Sequence, residues 1–323
     1  MKRLEWLSQL LSTPAPRVAI EIAVDRVSGV LLGKGAKPEL AGWANEPLPP
    51  GAVVPGVLSR NIVDRKVVID AIRAVLERLP KRVSKIGLVV PDMVAKVSIV
   101  RFDQTPTKKS DLDQMIRWRV SQAVPFKLEN AQLSYTPGAV VGKDFREFVV
   151  VLMRRDIAKE YEGVCIAAGV QAGIIDLATL NLINGLLVNR RARRSEDWLM
   201  LHAASGYNSI GIVRGEALLF FKTSTAKRSR DVADLVHQTS MYYEDRLEGK
   251  GISAVVLDGS VEGEGRPALE FASKHLAEKF QVPVLRVATS EFGVRIPETF
   301  SSIRTSLAPV GLLMRERRSE NLI

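Results

Sequence analysis

The sequence predicts a two-lobed α/β protein in which each lobe is built on a sheet opened by a hairpin. Three observations predict it. Val18-Ala19-Ile20-Glu21-Ile22-Ala23-Val24-Asp25-Arg26-Val27-Ser28-Gly29-Val30-Leu31-Leu32 is an apolar strand, a polar residue, a short polar turn and a second apolar strand. Leu199-Met200-Leu201-His202-Ala203-Ala204-Ser205-Gly206-Tyr207-Asn208-Ser209-Ile210-Gly211-Ile212-Val213 follows the same plan. Apolar runs bounded by turn residues are the hairpin signature. The third observation is length: 323 residues exceed what one core usually serves. Two hairpins, each opening one half of the chain, imply a duplicated fold with a cleft between the halves.

The remaining elements are placed by periodicity and by breakers. Strands are expected at 18–24, 27–33 and 39–44, before the loop Pro47-Leu48-Pro49-Pro50-Gly51. Asp64 is placed to cap a helix running through Leu79, with Val68, Ile69, Ile72, Val75 and Leu76 at helical spacing. A short strand at 86–90 stops at Pro91-Asp92. A compact α/β segment follows, with strands at 96–102, 131–136 and 146–153 and helices at 107–123 and 156–168. Ile174-Ile175-Asp176 and a helix through Leu187 lead to an arginine-rich linker. The second half repeats the scheme, with a helix at 230–247, a strand at 252–257, a helix at 266–279, a strand at 283–287 and a helix at 306–314. The expected division is 1–16 as an amphipathic helix and linker, 17–92 with 172–189 as the first lobe, and 93–171 as an inserted subdomain. Residues 190–197 form the linker and 198–323 the second lobe, including a helical subdomain at 226–250.

Composition narrows the function. Hydrophobic content of 46% with 25% charge is ordinary for a folded soluble protein. The lone Cys165 allows no intrachain disulfide, so a reducing cytoplasm is the expected compartment. No apolar run is long enough to cross a membrane. The net charge of +10 favours acidic partners. With 6% aromatics and no recognised motif, nucleic acid is not expected among them. Leu4, Leu7, Leu10 and Leu11 beside Trp6, behind Lys2 and Arg3, leave two readings open: a membrane-surface helix, or a helix docked on its own domain. His202, His237 and His275 show no metal-ligand spacing, and no metal site is expected.

Several segments, in order, resemble the PilM-type pilus assembly proteins, bacterial members of the actin-like ATPase superfamily related to FtsA. Val89-Val90-Pro91-Asp92 followed by Val97-Ser98-Ile99-Val100-Arg101-Phe102 is similar to that family's strand, Pro-Gly turn and "V-K-x-I-R-x-P" strand. Arg117-Trp118-Arg119-Val120-Ser121-Gln122-Ala123-Val124-Pro125-Phe126 resembles its "R-x-E-A-x-x-x-I-P-F" helix end. Cys165-Ile166-Ala167-Ala168-Gly169-Val170 matches "L-x-x-A-G-L", and Met241-Tyr242-Tyr243 leading to Ala254-Val255-Val256-Leu257-Asp258-Gly259 matches its "S-L-x-Y-Y" helix and "I-x-L-S-G-G" strand end. The resemblance implies a two-lobed actin-like fold of duplicated RNase H-like sheets with an FtsA/PilM-type inserted subdomain. It also implies a place at the cytoplasmic face of the inner membrane, in type IV pilus or type II secretion machinery. The partner it implies is a bitopic PilN-like protein, whose N-terminal peptide would dock in a groove involving the insertion. Other platform or motor proteins, peripheral membrane contact and a homodimer remain open.

In actin-like ATPases both hairpin turns wrap nucleotide phosphates. They need small residues that aim backbone N–H groups inward and a carboxylate that positions Mg²⁺. The family's first turn is typically D-I-G-S-S-S-V-K; here it is Glu21-Ile22-Ala23-Val24-Asp25-Arg26-Val27-Ser28. Its second is D-I-G-x-x-x-T; here His202 replaces the carboxylate, Ala204 the glycine, and Tyr207 stands where a phosphate would approach. "S-G-G" has become Asp258-Gly259-Ser260. The degenerate cleft would thus comprise Glu21, Asp25, Arg26, His202, Asn208, Asp258 and Gly259, with no catalytic residue and no cofactor. The alternative is an active ATPase in which Glu21 still holds Mg-ATP and Arg26 replaces the lost lysine. For the partner, exposed apolar and cationic residues near a sheet edge are required, and Phe102, Arg117, Trp118 and Phe126 are the candidates. The competing reading places Trp118 and Phe126 in the insertion's own core.

Overall fold

The structure is a computed structural model that describes residues 16–34, 38–141, 145–189, 196–226, 230–259, 265–297, 300 and 306–320. The sequence-based expectations for the N-terminal helix, most of the 190–197 linker and Ser260 lie outside those residues.

Two five-stranded sheets repeat one topology. In the first, β1 (Val18–Ile22), β2 (Arg26–Leu32) and β3 (Leu40–Pro47) form an antiparallel meander. β4 (Lys85–Val90) and β8 (Gln171–Leu177) run parallel to β1, giving the order β3-β2-β1-β4-β8. In the second, β9 (Asp197–Ala204), β10 (Tyr207–Arg214), β11 (Ala217–Thr225), β12 (Ile252–Gly259) and β13 (Val284–Arg286) take the matching order β11-β10-β9-β12-β13. β5 (Ala95–Phe102), β6 (Ala131–Val141) and β7 (Phe145–Arg154) make a separate three-stranded sheet, ordered β5-β7-β6.

Both large sheets are covered on both faces, which is why their central strands read as continuous apolar runs rather than strict alternation. Val18, Ile20 and Ile22 of β1 join a core with Val68, Ile72 and Val75 of α1 (Arg65–Arg78). Asp64 caps α1, its carboxylate accepting from the Val67 N–H at 3.1 Å. Ala19 faces the other way, into a core shared by both sheets. That shared core is filled by α4 (Ala178–Asn189) and α7 (Ala308–Glu320), through Leu182, Ile183 and Leu186 on one and Val310, Leu312 and Leu313 on the other. The two helices cross closely. A Cβ on Gly311 would lie 2.0 Å from the Asn181 carbonyl oxygen, and one on Gly185 would lie 3.0 Å from Gly311 Cα.

Three expected boundaries are corrected. The sequence places α3 (Arg155–Ala167) in the insertion, but Ile157, Tyr161, Val164 and Cys165 pack into the first lobe's core beside α1. The insertion's own core is smaller: Val100, Phe102, Phe148, Val150 and Leu152 of its sheet with Ile116 and Val120 of α2 (Lys109–Ser121). The C-terminal α7 was placed in the second lobe, yet it lies against β1, β4 and α4, where its apolar face finds both sheets. α5 (Arg230–Arg246) forms no separate subdomain: Val232, Leu235 and Val236 pack on the second sheet together with Ala272 and Leu276 of α6 (Gly265–Phe280).

Candidate functional site

The duplicated hairpins bring their turns together at the boundary between the lobes. Register sets which side chains meet there. Glu21 of β1 lies opposite Ser28, and His202 of β9 lies opposite Ser209. Each shares its strand face with a residue of the inter-lobe core, Ala19 in one case and Met200 in the other, so both point toward the opposite lobe. Gly206 takes φ +82° in the β9–β10 turn, and a Cβ there would come within 4.0 Å of Val24 Cγ1 in the β1–β2 turn.

The residues between the turns are charged and buried. Ser28 Oγ donates to Glu21 Oε2 at 3.2 Å. His202 Nδ1 lies 2.7 Å from Asp258 Oδ2, and the His202 ring meets Tyr207 edge-on at 5.8 Å. Arg26 pairs with Asp25 at 3.0 Å. Asp92, which follows β4, ties three elements together. Its carboxylate accepts from the Thr179 N–H at 3.0 Å, from the Thr179 hydroxyl, and from Ser209 Oγ of the second lobe at 2.7 Å.

The electrostatics follow from burial. Desolvation raises the Glu21 and Asp92 carboxyls above the usual carboxylate range; Arg26 and His202 oppose this for Glu21, and His202 with the Thr179 and Ser209 hydrogen bonds opposes it for Asp92. Burial works against charge on the His202 imidazole, but the hydrogen bond and charge of Asp258, with Asp92 and Glu21, hold it above the ordinary histidine value. Burial also opposes the Arg26 charge and is outweighed by Glu21, Asp25 and Asp258.

The cavity enclosed by Glu21, Ala23, Arg26, His202, Ala204 and Tyr207 has a volume of about 10 Å³ open to the centre of a water molecule. That accommodates about one water, whereas sites for ligands of nucleotide size span several hundred Å³. The side chains of the two turns themselves fill most of the space between them. Among the described residues no cluster of His, Cys, Asp and Glu has the makings of a metal site.

Of the expected cleft residues, Glu21, Asp25, Arg26 and His202 line the cavity, and Asp258 stands behind His202. Asn208 does not: it shares its β10 face with Ile210 and Ile212, which belong to the second lobe's outer core. Gly259 pairs with Ala203 at the end of β12 and does not line the cavity. The sequence reading missed Asp92, Thr179 and Ser209. The signal for Asp92 was present in Pro91-Asp92, a turn carrying a carboxylate straight after a fully apolar strand.

A second and larger cavity of about 770 Å³ runs between the insertion and the first lobe. β6 and β8 are each the outermost strand of their sheet, and both line it. Val149, Val151 and Met153 of β7 face into it, while Phe148, Val150 and Leu152 on the other face build the insertion's core. Leu180, Ile183 and Leu187 of α4 form its floor, and the Arg214-Gly215-Glu216 turn of the second lobe closes one side. Arg315 of α7, ion-paired to Asp176, stands at the rim.

None of the four expected partner-binding residues lines this groove. Phe102 is a core residue, edge-on to Phe148 at 6.1 Å with the Arg119 guanidinium over its ring at 5.6 Å. Phe126 is half-buried against the same core. Arg117 is engaged by Asp113 at 2.7 Å, one helical turn earlier on α2. Trp118 is 67% exposed on the outer face of that helix, so it does not pack the insertion's core. Alternation along β5 put Phe102 on the inward face, a reading that required knowing which face was covered.

The family model for the type IV pilus assembly protein PilM matches residues 20–197. The chain belongs to the PilM family. Its fold is similar to a solved structure, the PilM–PilN type IV pilus biogenesis complex, with 16% identity, a TM-score of 0.77 and coverage of 94% of this chain and 99% of that one. A Bacteroides thetaiotaomicron protein with an actin-like ATPase fold and unknown function is also similar, with 9% identity, a TM-score of 0.53 and coverage of 92% and 94%. At these identities the likeness shows the fold, which is the two-lobed actin-like one. No curated protein sequence matches the chain. No helix among the described residues is long and apolar enough to cross a membrane.

Proposed function

We propose that this PilM-family protein is a non-catalytic adaptor of a type IV pilus inner-membrane platform. It binds the cytoplasmic N-terminal peptide of a PilN-like bitopic membrane protein in the groove between β6 and β8, and so works in the cytoplasm, peripheral to the inner membrane. The observation that carries this reading is the pair of edge strands, β6 and β8, that face one groove and pair with no further strand among the described residues. An extended peptide gains main-chain hydrogen bonds from such an edge, while alternate side chains enter apolar pockets. Val149, Val151, Ile174, Leu180 and Leu187 supply those pockets, and the polar rim at Arg214, Glu216 and Arg315 sets orientation. Family membership and the likeness to the PilM–PilN complex support the choice of partner.

The non-catalytic part of the reading rests on the cleft. Its alanines at 23 and 204, its Arg26 held by Asp25, its buried His202 and its volume of about 10 Å³ all oppose a phosphate grip. Thermal melting with and without Mg-ATP tests it, because any ligand that binds only the folded state raises the melting point. No shift at millimolar Mg-ATP is expected. A shift abolished by Glu21→Ala would establish an active nucleotide site instead.

A further inference from the structure

The polar side chains of the cleft have no part in the peptide groove, yet all but Asp25 and Arg26 are buried, and they come from both lobes. Glu21, Asp25, Arg26 and Asp92 belong to the first; His202, Tyr207 and Asp258 belong to the second. We propose that the cleft is a proton-charged latch. A protonated His202, held between Asp258 of its own lobe and Glu21 and Asp92 of the other, keeps the lobes closed, and loss of its proton releases them.

Charge balance is the first argument. Glu21, Asp92 and Asp258 are three buried carboxyl groups, and Arg26, the guanidinium among the residues lining the cavity, is shared between Glu21, Asp25 and Asp258. With neutral His202 the buried cluster carries excess negative charge, which a low-dielectric interior disfavours. An imidazolium reduces that excess from inside the chain. The second argument is geometry. Ser209 Oγ crosses the lobe boundary to Asp92 at 2.7 Å, and the Tyr207 hydroxyl lies against the Asp92 backbone, so separating the lobes exposes the whole set at once. His202 Nδ1 is fixed by Asp258, and the space around it is closed to all but about one water.

The sign follows from the raised imidazole value. A group that binds its proton more tightly in the closed form stabilises that form fully below the unfolded value of 6.5. The contribution fades as pH rises through the higher folded value. Glu21 and Asp92, also raised, act in the same direction at lower pH. The latch is therefore strongest in acid and weakest in base.

The test uses the full chain. The His202 imidazole resonance, identified by its absence from H202Q, is followed with pH by NMR. Small-angle scattering over the same range gives the radius of gyration. His202 is expected to titrate above 6.5, with the radius increasing in step, and D258N is expected to move both midpoints to lower pH. H202Q is expected to show no step in that range. Titration of His202 at or below 6.5, or a radius that stays constant while His202 titrates, overturns the latch. Should H202Q fail to fold, the wild-type titration compared with D258N still decides.

Discussion

Glu21 and His202 hold the same position in two copies of one hairpin, each directly across from a serine on the following strand. In the first copy the serine, Ser28, turns back to its partner; in the second, Ser209 leaves His202 to Asp258 and reaches across the lobe boundary to Asp92. The duplication thus brings an acidic and a basic side chain to one small cavity, and the divergence of the second copy ties the lobes together. The register of the two hairpins sets a buried polar contact at the lobe boundary.

Asp92 is the residue on which that contact depends. Asp92→Ala leaves the buried Thr179 N–H and the Thr179 and Ser209 hydroxyls without their acceptor. A loss of about 3 kcal/mol is expected, in line with the cost of unsatisfied buried donors. Ser209→Ala removes one neutral donor and should cost about 1 kcal/mol. Urea unfolding at unchanged m-value measures both.

The crossing of α4 and α7 gives a sharper steric prediction. Alanine in a helix interior is ordinarily favoured over glycine by about 1 kcal/mol. At Gly311 the new methyl would meet the Asn181 carbonyl at 2.0 Å, and overpacking of this kind costs about 1–3 kcal/mol or more. Gly311→Ala should therefore lower the melting point. Gly173→Ala, whose nearest neighbour is 3.8 Å away, should leave it within about 0.5 kcal/mol of the wild type.

Phe102 and Trp118 separate core from surface in the insertion. Phe102→Ala empties a packed aromatic position and should cost about 3–5 kcal/mol. Trp118→Ala, at a site 67% exposed, should leave stability nearly unchanged. Equal effects in chemical denaturation would contradict the assignment of Phe102 to the insertion's core.

Cys165 reports on the first lobe. It is buried, and burial together with the nearby Glu162 pushes its thiol up to about 12. The thiolate is the reactive form, so a thiol reagent near neutral pH should modify Cys165 at the rate of unfolding rather than at the intrinsic rate of a free cysteine. Fast labelling of the native protein would show that α3 opens locally.

The duplicated hairpins, the helix capped by Asp64 and the charged cleft residues Glu21, Arg26 and His202 were legible in the sequence because strand alternation and turn chemistry are local signals. The groove was not. Its walls are assembled from β6, β7, β8 and α4, and only the pairing order shows that β6 and β8 are left with free edges. Asp92, Thr179 and Ser209 lie far apart in the chain, so nothing local marks them as one contact. Helix α7 was misplaced for a related reason: its apolar face fits either sheet by pattern, and only the Gly185–Gly311 crossing puts it between them.

Calorimetric titration of the purified chain shows whether it holds the peptide independently of nucleotide. The ligand is the cytoplasmic N-terminal peptide of its PilN-like partner, added with and without Mg-ATP. Saturable binding is expected, left unchanged by Mg-ATP and abolished by Val151→Asp, a charge on the groove-facing side of β7. Binding that survives Val151→Asp, or that appears only with Mg-ATP, would contradict nucleotide-independent binding in this groove.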